Sequence, residues 1–211
     1  MVTERAMRTR STARGARQPE GYREFPNLQR RNCIQERLEV PALVWLLRLP
    51  RGRRMLEVGC GRGVALPVLA ELCEPSRLTG LDVDPGKLAA AERHLSARGV
   101  AAELRCGDVR QMPFPDGAFD VVIDFGTCFH VSRPEAALSE ISRVLGEGGV
   151  LVHETPLSQL LAHPCRSAGR RLPWAAAPEL APCGTALLWS RRVNCEPRDE
   201  CARRSGAGRR A

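Results

Sequence analysis

The chain has 211 residues, 43% of them apolar, and a formal net charge of +8. That is enough for one sizeable core, and no apolar run approaches the ~20 residues needed to span a bilayer. The nine cysteines, Cys33, Cys60, Cys73, Cys106, Cys128, Cys165, Cys183, Cys195 and Cys201, form no C-x-x-C pair and no zinc-spaced set with histidine, so neither a metal nor a disulfide framework is expected.

The first 20 residues are polar and lack the apolar centre of a secretory signal, which leaves a cytoplasmic expectation. The basic charge is concentrated at the ends: residues 1–20 carry +3 and residues 191–211 carry +4. Only Lys87 among the 32 basic residues is a lysine. That bias reads as composition rather than as a phosphate-binding surface, so a nucleic-acid partner is not expected. The chain divides into a disordered basic tail (1–20), an N-terminal helical cap (21–50), a catalytic-type domain (51–192) and a second disordered basic tail (193–211).

Arg30 to Leu49 has an apolar stripe of Ile34, Leu38, Val40, Leu43, Val44 and Leu47, interrupted at Pro41. Two placements stand for Asn27–Leu49: a lid across the carboxyl edge of a sheet, or a helix packed on its flank. The first strand is Arg54–Val58. It runs into Gly59-Cys60-Gly61-Arg62-Gly63, three glycines at alternate positions where backbone can approach a ligand that a side chain would block. A helix over Val64–Leu72 then aims its N-terminal amides at the same place.

The second strand, Leu78–Asp82, ends on a carboxylate 19 positions after Gly63, the spacing at which nucleotide-binding folds hold ribose hydroxyls. Asp84 is the natural cap of a helix over Pro85–Ala97 that opens on Pro85. A third strand, Ala102–Cys106, precedes a further acid, Asp108. After the proline-rich turn Met112–Gly117 comes a fourth strand, Phe119–Asp124, and then a helix over Pro134–Leu145. Gly146–Gly149 is expected to end that helix ahead of a fifth strand, Gly149–Glu154. Strands alternating with helices at this spacing predict a parallel sheet with right-handed crossovers. Beyond it, Leu157–Leu161 starts a helix, His163–Pro173 gives no periodicity, Glu179–Cys183 is the one candidate sixth strand, and Ala186–Ser190 is the last.

From about residue 54 to 154 these pieces, LEVGCGRG, LTGLDVDP, CGDV, PFPDGAFDVV and RVLGEGGVLV, together resemble the class I S-adenosylmethionine-dependent methyltransferases of the small-molecule, ubiquinone/menaquinone-biosynthesis type. The resemblance implies a Rossmann-like, doubly wound α/β sheet in the order 3-2-1-4-5-7-6 with an antiparallel last strand, here expected to be abbreviated at its C-terminal end. It implies S-adenosyl-L-methionine as cofactor and a small molecule as methyl acceptor. Glu57, Gly59, Gly61 and Gly63 would surround the methionine moiety, Asp82 with Val83 the ribose, and Asp108 with Val109 the adenine. Asp124 would border cofactor and acceptor, or simply end its strand. His130, His153 and Glu154 are candidate bases without a firm catalytic assignment.

Two other function classes stand beside this one. A nicotinamide oxidoreductase is disfavoured by the G-x-G-x-G spacing and by Glu57 ahead of it. A non-catalytic, or RNA- or protein-directed, S-adenosylmethionine-binding module would keep the fold without small-molecule turnover.

Overall fold

The computed structural model describes residues 27–158, 171–185 and 188–195. Five parallel strands form most of the sheet: β1 (Arg54–Val58), β2 (Arg77–Asp82), β3 (Glu103–Cys106), β4 (Phe119–Asp124) and β5 (Leu145–Glu154). β6 (Leu180–Thr185) and β7 (Trp189–Asn194) complete it, with β7 antiparallel to both β5 and β6. The order is β3-β2-β1-β4-β5-β7-β6, as the resemblance implies.

The central strands β1, β4 and β5 are largely apolar and buried because both faces are covered. Along β4, Val122 joins a core with Leu56, Val58, Leu138, Ile141 and Leu151. Its neighbours Val121 and Ile123 point the other way, to Met55, Leu66, Leu69, Val150 and Val152. The first face is covered by α6 (Pro134–Val144); the second by α3 (Leu66–Cys73), α4 (Pro85–Ser96) and the N-terminal helix. That helix is α1 (Leu28–Ile34), a π-helical turn (Gln35–Glu39) and α2 (Val40–Leu46). Val40, Leu43 and Leu47, spaced three and four apart, enter the second core.

Local chemistry sets the element ends. Asp84 caps α4 as expected: its Oδ1 accepts from the backbone N–H of Gly86 at 2.8 Å and Lys87 at 3.3 Å. α3 begins at Leu66 rather than Val64, because the glycine turn continues to that point. Gly146–Gly149 do not precede the fifth strand but lie inside it, with Gly148 at φ +70°.

At the amino edge of the sheet, Arg54 gives its backbone N–H and guanidinium to Asp120 at 2.7–3.2 Å. Arg143 on α6 fastens the Met112–Asp116 loop. It donates to Phe114 O at 2.8 Å, Met112 O at 3.1 Å, Asp116 at 2.8 Å and Glu140 at 2.7 Å.

The C-terminal strands correct the sequence reading. The sheet is not abbreviated: β6 takes up the candidate sixth strand and extends it to Thr185. Among the described residues of the expected last strand, Trp189 and Ser190 open β7, which runs on through Asn194. Three contacts hold this polar strand in register. The Asn194 amide donates to Leu145 O at 2.8 Å and Ser142 O at 3.2 Å, and Arg192 Nη1 donates to Leu180 O at 2.6 Å. Val193 and Asn194 therefore belong to the sheet, two residues past the expected domain end at 192. The tail at 1–20, Ala186 and Leu187, and most of Leu157–Leu161, His163–Pro173 and the second tail lie outside the described residues.

Candidate functional site

Parallel pairing brings the carboxyl ends of β1, β2 and β4 together. Val58 is in register with Leu81 on one side and Asp124 on the other, and Asp124 with His153 on β5. Open α/β sheets bind their ligands at this edge, and five of the expected residues, Glu57, Gly59, Gly61, Asp82 and Asp124, meet here.

The glycine turn takes the shape its composition requires. Gly59, Gly61 and Gly63 sit at φ +67°, +55° and +72°. The three glycines nevertheless do different things. A Cβ on Gly59 would lie 1.9 Å from Thr127 Oγ1, and one on Gly63 would lie 3.0 Å from Ala91 Cβ on α4. At Gly61 nothing stands nearer than 4.0 Å. Gly59 and Gly63 thus admit protein, whereas Gly61 leaves its space open for a ligand. Cys60 fills a different hollow: a Cβ on Gly80 would come within 2.8 Å of its Sγ, and burial pushes the Cys60 thiol well up, so it is a packing group.

Asp82 pins the turn. One carboxylate oxygen accepts from Gly61 N–H at 2.9 Å and the other from Asp84 N–H at 2.9 Å. Each oxygen keeps a lone pair for a further donor. Val83, next along, is partly exposed. Asp108 and buried Val109 follow β3; the Arg110 guanidinium at 2.9–3.1 Å holds the Asp108 carboxyl below the usual range, and Arg110 is itself anchored on Ser132 Oγ at 2.7 Å.

Glu57 is 3% exposed, and its Oε2 has no hydrogen-bond partner. Burial, and then the nearby Asp82 charge, push its pKa up to about 8. An orphaned acid buried beneath a glycine cradle is costly unless a ligand engages it. Asp124, 1% exposed, is pushed up to about 6 by burial despite accepting from Thr127 N–H at 2.6 Å. Thr127 ties this end of β4 back to β1, with its hydroxyl donating to Val58 O at 3.1 Å.

The three candidate bases separate. His130 ends the short helix α5 (Thr127–His130) and is partly exposed. Glu154 is buried, with the Arg31 guanidinium of α1 3.9 Å away. His153 is 5% exposed and follows the pleat to the same side as Leu151. Its Nδ1 lies 2.8 Å from Glu154 O, so Nδ1 carries the proton and Nε2 presents a lone pair. That Nε2 has no partner. Burial lowers the His153 pKa to about 4, so the ring is neutral near pH 7. It packs against Trp174 with centroids 4.6 Å apart and the rings tilted by 49°, and Arg192 covers that indole at 3.5 Å. Sequence reasoning missed both Thr127 and Trp174: a lone threonine in a loop carries no signal, and Trp174 sits beside a stretch without periodicity.

The set of acids suits a guest that carries positive charge and hydrogen-bond donors. Glu57, Asp82, Asp108 and Asp124 are all acids, whereas an anionic pyrophosphate would call for donors. The Gly61 opening and the orphaned Glu57 oxygen leave room and a polar contact for such a guest.

A glycine-cornered Rossmann-like sheet with acids at the ends of β1, β2 and β4 defines a nucleotide-cofactor class, and comparison with known proteins narrows it. The family model described as "Methyltransferase domain" matches residues 56–153. Residues 56–153 thus form a domain of the class I S-adenosylmethionine-dependent methyltransferase type, whose cofactor is S-adenosyl-L-methionine. It is 35% identical over 136 residues to a probable S-adenosylmethionine-dependent methyltransferase of Mycolicibacterium smegmatis, covering 64% of this chain and 50% of that one. It is 40% identical over 101 residues to a demethylmenaquinone methyltransferase of Thermus thermophilus, covering 47% and 46%. The fold also matches a solved methyltransferase of Aquifex aeolicus with a TM-score of 0.63 at 15% identity, covering 81% of this chain and 100% of that one. The chain spans between about a quarter and a half of the length of the curated relatives it matches.

Proposed function

We propose that this chain transfers a methyl group from S-adenosyl-L-methionine to a small-molecule acceptor. The observation that carries the reading is the open face at Gly61 above a buried, unpartnered Glu57 oxygen, with Asp82 beside it. Glu57 and Gly61 hold the amino-acid end of the cofactor, in a turn that Gly59 and Gly63 allow to close against the protein; Asp82 and Val83 hold its ribose, and Asp108 with Val109 its base. When bound, the cofactor supplies an electrophilic methyl on a sulfonium.

The chain's own task is alignment and exclusion of water, which can supply much of the barrier reduction in a direct displacement. His153 is the acceptor-side base in this reading. Its neutral ring, fixed tautomer and free Nε2 suit removal of a proton from a hydroxyl as its oxygen attacks. Trp174 beside it gives the acceptor an apolar wall. Relatives named for fatty-acid and phosphatidylethanolamine methylation support an acceptor with apolar parts. We place the reaction in the cytoplasm, because all seven cysteines among the described residues are free, as a reducing compartment would keep them.

Calorimetric titration tests the cofactor: S-adenosyl-L-methionine and its demethylated product should bind saturably and nicotinamide dinucleotides should not. Incubation with labelled methyl donor and a metabolite extract tests the rest. Label should move into a small molecule; label found only in RNA or protein would overturn the acceptor class.

A further inference from the structure

The N-terminal helix is apolar on two sides. Val40, Leu43 and Leu47 face the core, and a second set faces outward: Trp45 is 77% exposed, Leu38 66%, Leu46 47% and Ile34 37%. Ile34, Leu38 and Trp45 lie four and seven residues apart, which returns them to one side of a continuous helix. No packing within the described residues uses them. The first half of the segment is, in effect, turned inside out. Its polar side chains point to the domain, where Arg31 meets Glu39 at 2.7 Å and Glu154 at 3.9 Å, and Glu36 meets Arg98 at 2.6 Å.

Those pairings absorb both acids of the segment. The exposed cations Arg30, Arg37 and Arg48 form no salt bridge among the described residues. The outer surface therefore combines an indole, aliphatic side chains and positive charge with no compensating acid. A partner protein face would need matching acids and a shaped apolar hollow. An anionic lipid surface needs neither, since it offers phosphates at the level of the arginines and hydrocarbon just below.

We infer that α1–α2 is a peripheral membrane-docking helix, seating Ile34, Leu38, Trp45 and Leu46 in the interface of an anionic bilayer with Arg30, Arg37 and Arg48 at its headgroups. The inference stands apart from the methyl-transfer reading, because it uses no residue of the cofactor site. It is a surface attachment: among the described residues no helix is long and apolar enough to cross a membrane.

The experiment is vesicle co-sedimentation of the full chain. Vesicles of equal parts phosphatidylcholine and phosphatidylglycerol should carry the protein down, and phosphatidylcholine alone should bind it at least about tenfold more weakly. The L38S/W45S double variant should lose at least about tenfold in binding to the anionic vesicles, and R30E/R37E should also weaken it. These positions are exposed, so melting temperatures should stay near that of the parent. Brominated lipids should quench part of the tryptophan emission of the unaltered protein, the share of exposed Trp45 rather than of Trp174 and buried Trp189, a readout independent of any variant. Absence of binding, equal binding to both vesicle types, binding unaffected by L38S/W45S, or absence of quenching overturns the inference. So does a lipid-free dimer that W45S dissolves, which would mean that a second copy covers this face.

Discussion

The two halves of the carboxyl edge are built by different means. Around β1 and β2 the site is mostly local: a five-residue turn with Glu57 just before it and Asp82 after it supplies the polar groups, and Asp82 accepts from Gly61 and Asp84. Around β4 and β5 it is assembled from distant chain. His153 meets Trp174, Trp174 meets Arg192, and Glu154 meets Arg31 from the other end of the sequence. A common cofactor can be held by a short motif, whereas an individual acceptor is shaped by whatever segments the rest of the chain brings. The difference teaches which substitutions should affect donor binding and which turnover.

The largest expected effect is on the distant half. His153→Asn should lower methyl transfer by about 10²- to 10⁴-fold, the usual range for a general base. Donor affinity, read by calorimetry, should stay within about twofold, since no cofactor contact changes. A matching loss of donor binding would erase the division between the halves.

Next is the joint between them. Gly59→Ala places a Cβ 1.9 Å from Thr127 Oγ1 at φ +67°, and should cost about 3 kcal/mol or more in chemical denaturation. Adding Thr127→Ala removes the nearest clashing atom, so the double variant should lose less than Gly59→Ala alone. Gly61→Ala, with nothing within 4.0 Å, should leave more of the fold intact while donor binding falls.

Asp82→Ala should weaken donor binding by roughly 1–3 kcal/mol, the cost of leaving hydrogen-bonded groups without their partner. The effect belongs to the local half alone, so label transfer at saturating donor should recover most of its rate.

The smallest effect is a change of slope. Unfolded, Glu57 gives up its proton near 4.5; folded, it keeps it to about 8. Between those values the folded state binds the extra proton, so stability from this group is complete below about 4.5 and is lost as pH rises towards 8. Thermal melts across this window should show a flatter profile for Glu57→Gln. An unchanged slope would mean that Glu57 is already ionised in the folded protein.

The local half was also the legible one. β1, β2, the glycine turn and the Asp84 cap follow from apolar runs, glycine spacing and one capping carboxylate, all short-range signals. The distant half was not. In the sequence the last strand ends at Ser190 because Arg191 and Arg192 follow, and only pairing with β5 and the indole of Trp174 makes their place in the strand favourable. β6 contains Pro182, which suits an edge strand and weakens a sequence assignment. Thr127 gives no hint of its role until β1 and β4 are side by side.

Arg143 carries a consequence for the cost of order. Between β3 and β4 the backbone runs through a dozen residues with no helix and no sheet ladder beyond an isolated bridge, and fixing each would ordinarily forfeit ~1–2 kcal/mol of chain entropy. One guanidinium gathers two carbonyls and a carboxylate of that stretch onto a rigid helix. The proline-rich run that looks in the sequence like part of a chemical signature is, physically, a tether with a single knot. Its prolines and its arginine share the work of keeping a floppy connection short of conformations to lose.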